Sequence, residues 1–423
     1  MLFNYLIKNL LVITDGYAAK LRRFSLNARM YLIFVFLITL NTGIYGVVFN
    51  LYILKLGFGK DFLGLMLSTS AASSGLFAIP AAFVCDRLGR KKTLLLSSVL
   101  STISLFFLYN ITSQELLVIF SITSGIASAF ALVTGATFLL ENSTDDERMY
   151  LFSMSSLIYT FSILSGNLIG GFLPDLVSDL FLLEAGGAIA YRLTLYVSLA
   201  ATFASLLPLI YVSEGIPVGN TNLVSQLHVY RSVIRSKAVR MMLFFYCLFG
   251  LGWGTSLPYF NVYFDVVLGA SASQIGIIFS ISQLFMVLGY FIVPILTEKM
   301  GKVKLASTVQ VLSIPFLLIF TFADSLFIAT VGFVMRYLLM NMANPLLNSF
   351  KLEIVGAEER SIVNSIMWMA CYIFVGAGTY AGGLMMAAGR NSMPFLVTGF
   401  FYAVTALYYY ICFNGLEKDA KLN

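Results

Sequence analysis

Runs of twenty or so apolar residues recur along this entire chain, each closed by a short loop that carries nearly all of the local charge. A helix needs about 20 predominantly apolar residues to cross the hydrocarbon core of a bilayer. Only 11% of the 423 residues are charged and 59% are hydrophobic, whereas a soluble chain carries about 25% charged residues. The chain therefore reads as a polytopic all-α membrane protein. The pattern predicts twelve spans, over 29–55, 62–85, 91–110, 114–140, 149–173, 191–213, 239–265, 272–296, 303–322, 325–351, 360–387 and 392–413. Several exceed the minimum length, which predicts tilted helices with ends in the headgroup layer.

The bases set the orientation. With a cytoplasmic N-terminus, the far side holds only Lys55, Lys60, Arg192 and Arg390 of the 26 Lys and Arg residues, and Arg336 falls inside a span. The other bases face the cytoplasm, as the positive-inside bias requires. Both termini are thus expected in the cytoplasm and the protein in the cell membrane. Within residues 1–28, Phe3, Leu6, Ile7, Leu10, Tyr17, Leu21 and Phe24 recur at helical spacing. The basic cluster of that segment (Lys20, Arg22 and Arg23) follows its apolar part, unlike the order in a signal peptide. A cytoplasmic amphipathic helix on the membrane surface is expected instead.

Cysteine and histidine usage excludes several chemistries. Cys85, Cys247, Cys371 and Cys412 are scattered in apolar runs without CxxC spacing, as small core hydrophobes are. His228 is the only histidine, which argues against His-based zinc sites and His-dependent triads. Serine and aspartate candidates lack a base or a paired acid at one depth, so the chain is not expected to be an enzyme. No metal, cofactor or nucleic acid is expected.

The chain also repeats itself. FNLY at 49–52 returns as FNVY at 260–263, a shift of 211. DRLGRKK at 86–92 returns as EKMGKVK at 298–304, ENSTDDER at 141–148 as EIVGAEER at 353–360, and GNLIGG at 166–171 as GTYAGG at 378–383, each a shift of 212. Three matches in one register and a fourth one residue off it predict two six-helix halves, 29–213 and 239–413, with a cytoplasmic linker at 214–238 and a cytoplasmic tail at 414–423. In the linker, Leu223, Leu227, Tyr230 and Ile234 stand at helical spacing among Arg231, Arg235 and Lys237, a pattern suited to the inner leaflet surface.

With these features the sequence resembles the major facilitator superfamily over nearly its whole length. DRLGRKK resembles that family's loop G-x-x-x-D-R-x-G-R-K between the second and third spans, with Ala82 at the leading glycine, and the copy at Glu298, Gly301 and Lys302 resembles a weakened second version. Glu141/Arg148 and Glu353/Arg360 are similar to the E-x6-R spacing of sugar-porter members. SILSGNLIGG is similar to the fifth-span antiporter pattern G-x-x-x-G-P-x-x-G-G, with Ser162 at its first Gly and Asn167 at its Pro. The resemblance implies two bundles that rock about a midplane site. It also implies transport by a monomer, with membrane lipids and a coupling ion such as a proton as further partners.

The charged loops carry the expected inner gate: Asp86, Arg87, Arg90, Glu141 and Arg148 in the first half, Glu298, Lys302, Glu353 and Arg360 in the second. Acids contribute little to topology, so repeated acids point beyond orientation. Lys91, Lys92 and Lys304 fit plain positive-inside residues. A surface ion pair contributes about 0–1 kcal/mol, and a partly desolvated network contributes more. That strength can hold one closed state and still break in each cycle.

Inside the spans, Arg336 is the one deep base, about 16 Å into the tenth span at 1.5 Å per residue. An intramembrane charge marks a functional site by default, and a guanidinium suits a carboxylate or phosphate. Asn344, Asn41, Tyr45, Gln283 and Tyr372 complete the candidate substrate site, although buried amides also join helices to one another. Asn50 and Asn261, repeated near the outer ends of the first and seventh spans, read as outer-gate or packing residues. The first span holds no acid for proton coupling, and Asp265 is a poor proton site at the outer end of the seventh.

The expected function is secondary active transport of a small amphipathic or anionic organic solute by alternating access, with export slightly preferred from the glycine-rich fifth span. The rivals are a lipid or lysolipid flippase, a facilitative sugar-like uniporter of the same fold, and a transporter-like membrane sensor.

Overall fold

The computed structural model describes residues 24–184, 186–214, 233–356 and 359–422. Among them, twelve helices are long and apolar enough to cross a membrane. In chain order these are α1 (Leu26–Lys55), α2 (Lys60–Leu88), α3 (Arg90–Asn110), α4 (Gln114–Glu141), α5 (Asp145–Phe181), α6 (Ala188–Tyr211), α7 (Lys237–Val266), α8 (Ala272–Met300), α9 (Lys302–Phe322), α10 (Leu326–Glu353), α11 (Arg360–Ala387) and α12 (Met393–Leu422). The amphipathic segment expected at the N-terminus and most of the expected linker helix lie outside the described residues.

Local chemistry explains where these helices begin and break. Ser25 caps α1 by accepting from the amide of Ala28, and Ser271 with Gln274 forms a capping box at α8. α5 starts four residues before the expected span because Asp145, Asp146 and Glu147 fill its first turn, where carboxylates favour the positive end of the helix dipole. It also runs on to Phe181 through Pro174. α6 is interrupted at Ser205, three residues before Pro208. α7 is a helix to Ser256, a single 3-10 turn over Leu257–Tyr259 that contains Pro258, and a short helix Phe260–Val266. Proline removes a backbone donor and crowds the preceding turn. The helix is interrupted before Pro208 and at Pro258, whereas α5 continues through Pro174. α12 extends beyond the expected span to Leu422.

The duplication is visible in the packing. Tyr52 on α1 donates to the carbonyl of Tyr109 at the end of α3 at 2.7 Å, and Tyr263 on α7 donates to the carbonyl of Thr321 at the end of α9 at the same distance. Gly89 and Gly301, in the turns α2–α3 and α8–α9, have φ of +86° and +79°. That region is open to glycine and strained for other residues, so both turns demand it.

The molecule is two six-helix bundles that meet along α2 with α11 and α5 with α8. At each seam two glycine backbones touch. A Cβ on Gly64 would lie 2.8 Å from Cα of Gly383, and one on Gly276 would lie 2.8 Å from Cα of Gly171. Small residues of this kind are what let membrane helices pack backbone to backbone. One end of the bundle carries Arg90 and Lys302 and is called here the basic face; the other carries Lys55, Lys60 and Arg390 and is called the sparse face.

Candidate functional site

A cavity of about 580 Å³ lies between the two bundles, lined by α1, α2 and α5 from the first half and by α7, α8, α10, α11 and α12 from the second. Its roof toward the sparse face is a set of hydrogen bonds that join the halves. Asn50 donates to the carbonyl of Pro258 at 2.6 Å and to Oδ1 of Asn261 at 2.9 Å. Asn261 in turn donates to the carbonyls of Gly46 and Val47, both at 3.1 Å. Pro258 lies in the α7 break, where the amide of Val262, four residues on, donates to Oδ1 of Asn261 at 2.9 Å. Further out, Lys60 donates to Oδ1 of Asn391 at 2.8 Å. Thr42, Gly46 and Tyr159 of the lining are exposed, Tyr159 by 47%, so the cavity is not a closed void.

At the basic face the ion pairs found among the described residues each stay within one half. Arg90 holds Asp86 at 2.8 Å and Glu141 at 3.1 Å, and also donates to Sγ of Cys85 at 3.1 Å. Its register mate Lys302 holds Glu353, the register mate of Glu141. Glu298, the mate of Asp86, is exposed and shows no ion pair among the described residues. Arg148 pairs with Asp145 at 2.8 Å, Arg360 donates to the carbonyl of Leu352 at 3.1 Å, and exposed Arg87 stacks on Phe83. The two E-x6-R pairs therefore do not pair internally; their acids turn to Arg90 and Lys302. A further acid in each half escaped the sequence reading. Glu417 accepts from the amides of Lys302 and Val303 at 2.7 and 2.9 Å, and Glu214 pairs with Lys92 at 3.4 Å. Both sit at the N-terminus of the third helix of their half, where a carboxylate meets free amides and the positive dipole end.

Four of the six residues expected at the substrate site line the cavity: Tyr45, Gln283, Arg336 and Asn344. Asn41 lies one position before the lining residue Thr42, with its Oδ1 buried and unpartnered. Tyr372 stands behind the wall, its ring tilted against those of Trp253 at 6.1 Å and Trp368 at 5.9 Å, which line it. Tyr45 stacks on Phe49 at 4.1 Å. Asn344 donates to Asn341, and Asn341 to the carbonyl of Tyr337.

Arg336 is the cavity's single charge among the lining residues, and no carboxylate lines it. The side chain is 2% exposed; its guanidinium donates to Tyr402 Oη at 2.9 Å and lies 4.8 Å from the ring of Phe260, while Nε has no partner. Cation–π contact with a desolvated guanidinium contributes about 2 kcal/mol, well short of what removing a charge from water costs. The remainder favours an anion. Ten of the other lining residues are aromatic, among them Trp253, Phe279, Phe333 and Trp368.

A second buried cation was not foreseen. Lys351, placed by the sequence at the end of the tenth span, is 1% exposed and its Nζ has no hydrogen-bond partner. It lies 4.9 Å from the ring of Trp368 and 5.4 Å from that of Tyr246. Trp368 thus separates it from the cavity. Only the convergence of α7, α10 and α11 makes this cage, and no local pattern announces it.

The model of the Major Facilitator Superfamily matches residues 31–373 and 242–422. An uncharacterized MFS-type transporter of Bacillus subtilis (strain 168), YceJ, is 24% identical over 345 residues, which cover 80% of this chain and 83% of that one. A bacterial homolog of the human lysosomal transporter Spinster, solved inward-facing and unoccupied, superposes with a TM-score of 0.73 at 15% identity, over 91% of this chain and 96% of that one. The nucleoside transporter NupG gives 0.71 at 16% identity, over 91% and 98%. A D-xylose-proton symporter gives 0.70 at 16%, over 90% and 96%.

Proposed function

The chain belongs to the Major Facilitator Superfamily, and from that premise we propose that it is a secondary transporter of a small organic anion with an apolar or aromatic body. The observation that carries this reading is Arg336: a buried, carboxylate-free guanidinium with an unpartnered Nε in an aromatic cavity. The positive-inside bias supports a cytoplasmic basic face with both termini inside, and the cell membrane is the proposed location. Closure by Asn50 and Asn261 at the sparse face then corresponds to an inward-facing state, and rocking of the bundles to the outward-facing state would bring the charged loops of the two halves together at the basic face. Glycines of α5 serve contacts with α1 and α8, so they carry no preference for export over uptake.

The test is a thermal-stabilisation screen of purified protein against organic acids and their uncharged amides, followed by flux into liposomes with and without a pH gradient. Acids are expected to stabilise the protein where their amides do not, and Arg336→Ala is expected to abolish the difference. Equal stabilisation of Arg336→Ala by every hit would overturn the assignment.

A further inference from the structure

Arg336 accounts for one end of a ligand; a second atom in the same wall asks for something different. Gln283, on α8, is 6% exposed and lines the cavity. Its Nε2 donates at 2.8 Å to the hydroxyl of Tyr337, the residue that follows Arg336 on α10. That bond orients the amide and leaves Oε1 buried without a donor. The cavity therefore presents an unused donor on a cation, Arg336 Nε, and an unused acceptor on a neutral amide. A buried polar atom without a partner is destabilising, and a pocket built to bond a substrate N–H or O–H discriminates against analogues that lack it.

We propose that the transported acid also carries a hydroxyl or amino donor, its anionic group meeting Arg336 and its donor meeting Gln283 Oε1. This rests on the reading of Arg336 as the anion site. It narrows the substrate class to hydroxy- or amino-substituted acids with a flat apolar body. Tyr337 acts as a positioning residue, because it sets the face that the Gln283 amide turns to the ligand.

The chain's only two tryptophans, Trp253 and Trp368, both line the cavity, so intrinsic emission reads occupancy without knowledge of the natural substrate. Four probes share one body: hydrocinnamate, phenyl-lactate with a hydroxyl beside the acid, para-hydroxyhydrocinnamate with one at the far end, and para-methoxyhydrocinnamate, which accepts but cannot donate there. At least one hydroxylated acid is expected to bind the wild-type protein roughly tenfold tighter than hydrocinnamate, the worth of one good hydrogen bond. Gln283→Met should erase that gain, so that the hydroxylated acid and hydrocinnamate bind the variant equally, and binding of either one reports a folded cavity. Tyr337→Phe should shrink the gain in the same direction and serves where Gln283→Met does not fold. The proposal is overturned if neither hydroxyl improves binding, if the gain survives Gln283→Met, if the methoxy acid gains as much as the hydroxy acid, or if none of the four binds. Failure of the anion reading looks different: Arg336→Met leaves every affinity unchanged, and hydrocinnamamide binds as well as hydrocinnamate.

Discussion

In the N-terminal half, the guanidinium of Arg90 at the basic face is held by two carboxylates, Asp86 and Glu141. In the C-terminal half, Arg336 and Lys351 are buried without a carboxylate, against Phe260 and Tyr402 and against Trp368 and Tyr246. The register of the duplication puts Ser124 where the second half has Arg336, Leu139 where it has Lys351, Ala71 where it has Gln283 and Thr42 where it has Trp253. Scaffold contacts obey the two-fold relation, as the Tyr52 and Tyr263 tethers do, and the cavity's chemistry breaks it. The cavity's one charge and eight of its ten aromatic rings thus come from the C-terminal half, so on the proposed reading ligand recognition is carried mainly by that half.

The sharpest way to break that comparison is to move a charge between register mates. Leu139 is buried against Leu94, Phe138 and Leu151, and the mates of the Lys351 cage, Val35 and Ser156, offer no ring. Leu139→Lys is expected to cost more than about 3 kcal/mol, because it buries a cation with neither counter-ion nor aromatic face. No monodisperse protein should then emerge on size-exclusion chromatography, whereas Leu139→Met should behave as wild type. Lys351→Met should fold and melt at an equal or higher temperature, since replacing a buried charge by an apolar side chain of similar volume is often neutral or stabilising by about 1–4 kcal/mol. Equal tolerance of lysine at both positions would show the cage to be irrelevant.

Next in size is the loss of Arg336 itself. Arg336→Met keeps the volume and removes the charge, so the ligand-free protein should remain folded while affinity for organic acids falls roughly a hundredfold, the range of a charge-assisted hydrogen bond. Isothermal titration with any acid found in the stabilisation screen checks this. A drop confined to turnover would move Arg336 from binding to the conformational cycle.

These two cations also mark what the sequence discloses. Span pattern, basic bias and the 212 register were legible because they are periodic and local, and they suffice for twelve helices in two bundles. Arg336 was legible as a buried base because it stands in the middle of an apolar run. Lys351 sat at the edge of its run and read as a headgroup-level residue; the structure buries it because α10 continues to Glu353 and rings from two other helices close over it. Tyr372 and Trp368 are one helical turn apart, and only the tertiary arrangement decides that Trp368 lines the cavity while Tyr372 backs it. Helix breaks behave likewise: Pro258 was visible in the sequence, yet that its carbonyl would receive Asn50 depends on the opposite half.

The gate networks give a smaller contrast. Arg90 engages two acids and Lys302 engages Glu353. Arg90→Ala should therefore slow turnover about tenfold with little change in ligand affinity, and Lys302→Ala less than about threefold, in line with the modest strength of exposed ion pairs. Liposome flux set against equilibrium binding separates the two effects. A uniform fall in affinity in either variant would mean that these loops shape the site rather than the cycle.

Smallest is the asymmetry inside the sparse-face closure. Asn50 and Asn261 are register mates, but Asn261 makes two bonds to α1 carbonyls besides the one that it accepts from Asn50, and Asn50 makes two in all. Each bond contributes about 0.5–1.5 kcal/mol, so Asn261→Ala should favour the state open to the sparse face more than Asn50→Ala does. A cysteine at Gly46 reads this, because a Cβ there meets nothing within 4 Å and the residue lines the cavity just below the closure. With the four native cysteines replaced, labelling of Gly46→Cys by a membrane-impermeant maleimide from outside the cell should rise severalfold in Asn50→Ala and further in Asn261→Ala. Removing a roof bond deprives only the closed state, since in the open state both amides face water and lose nothing by truncation. The reverse order would place the weight of the closure on the Pro258 carbonyl, and so on the break in α7 rather than on the repeated asparagines.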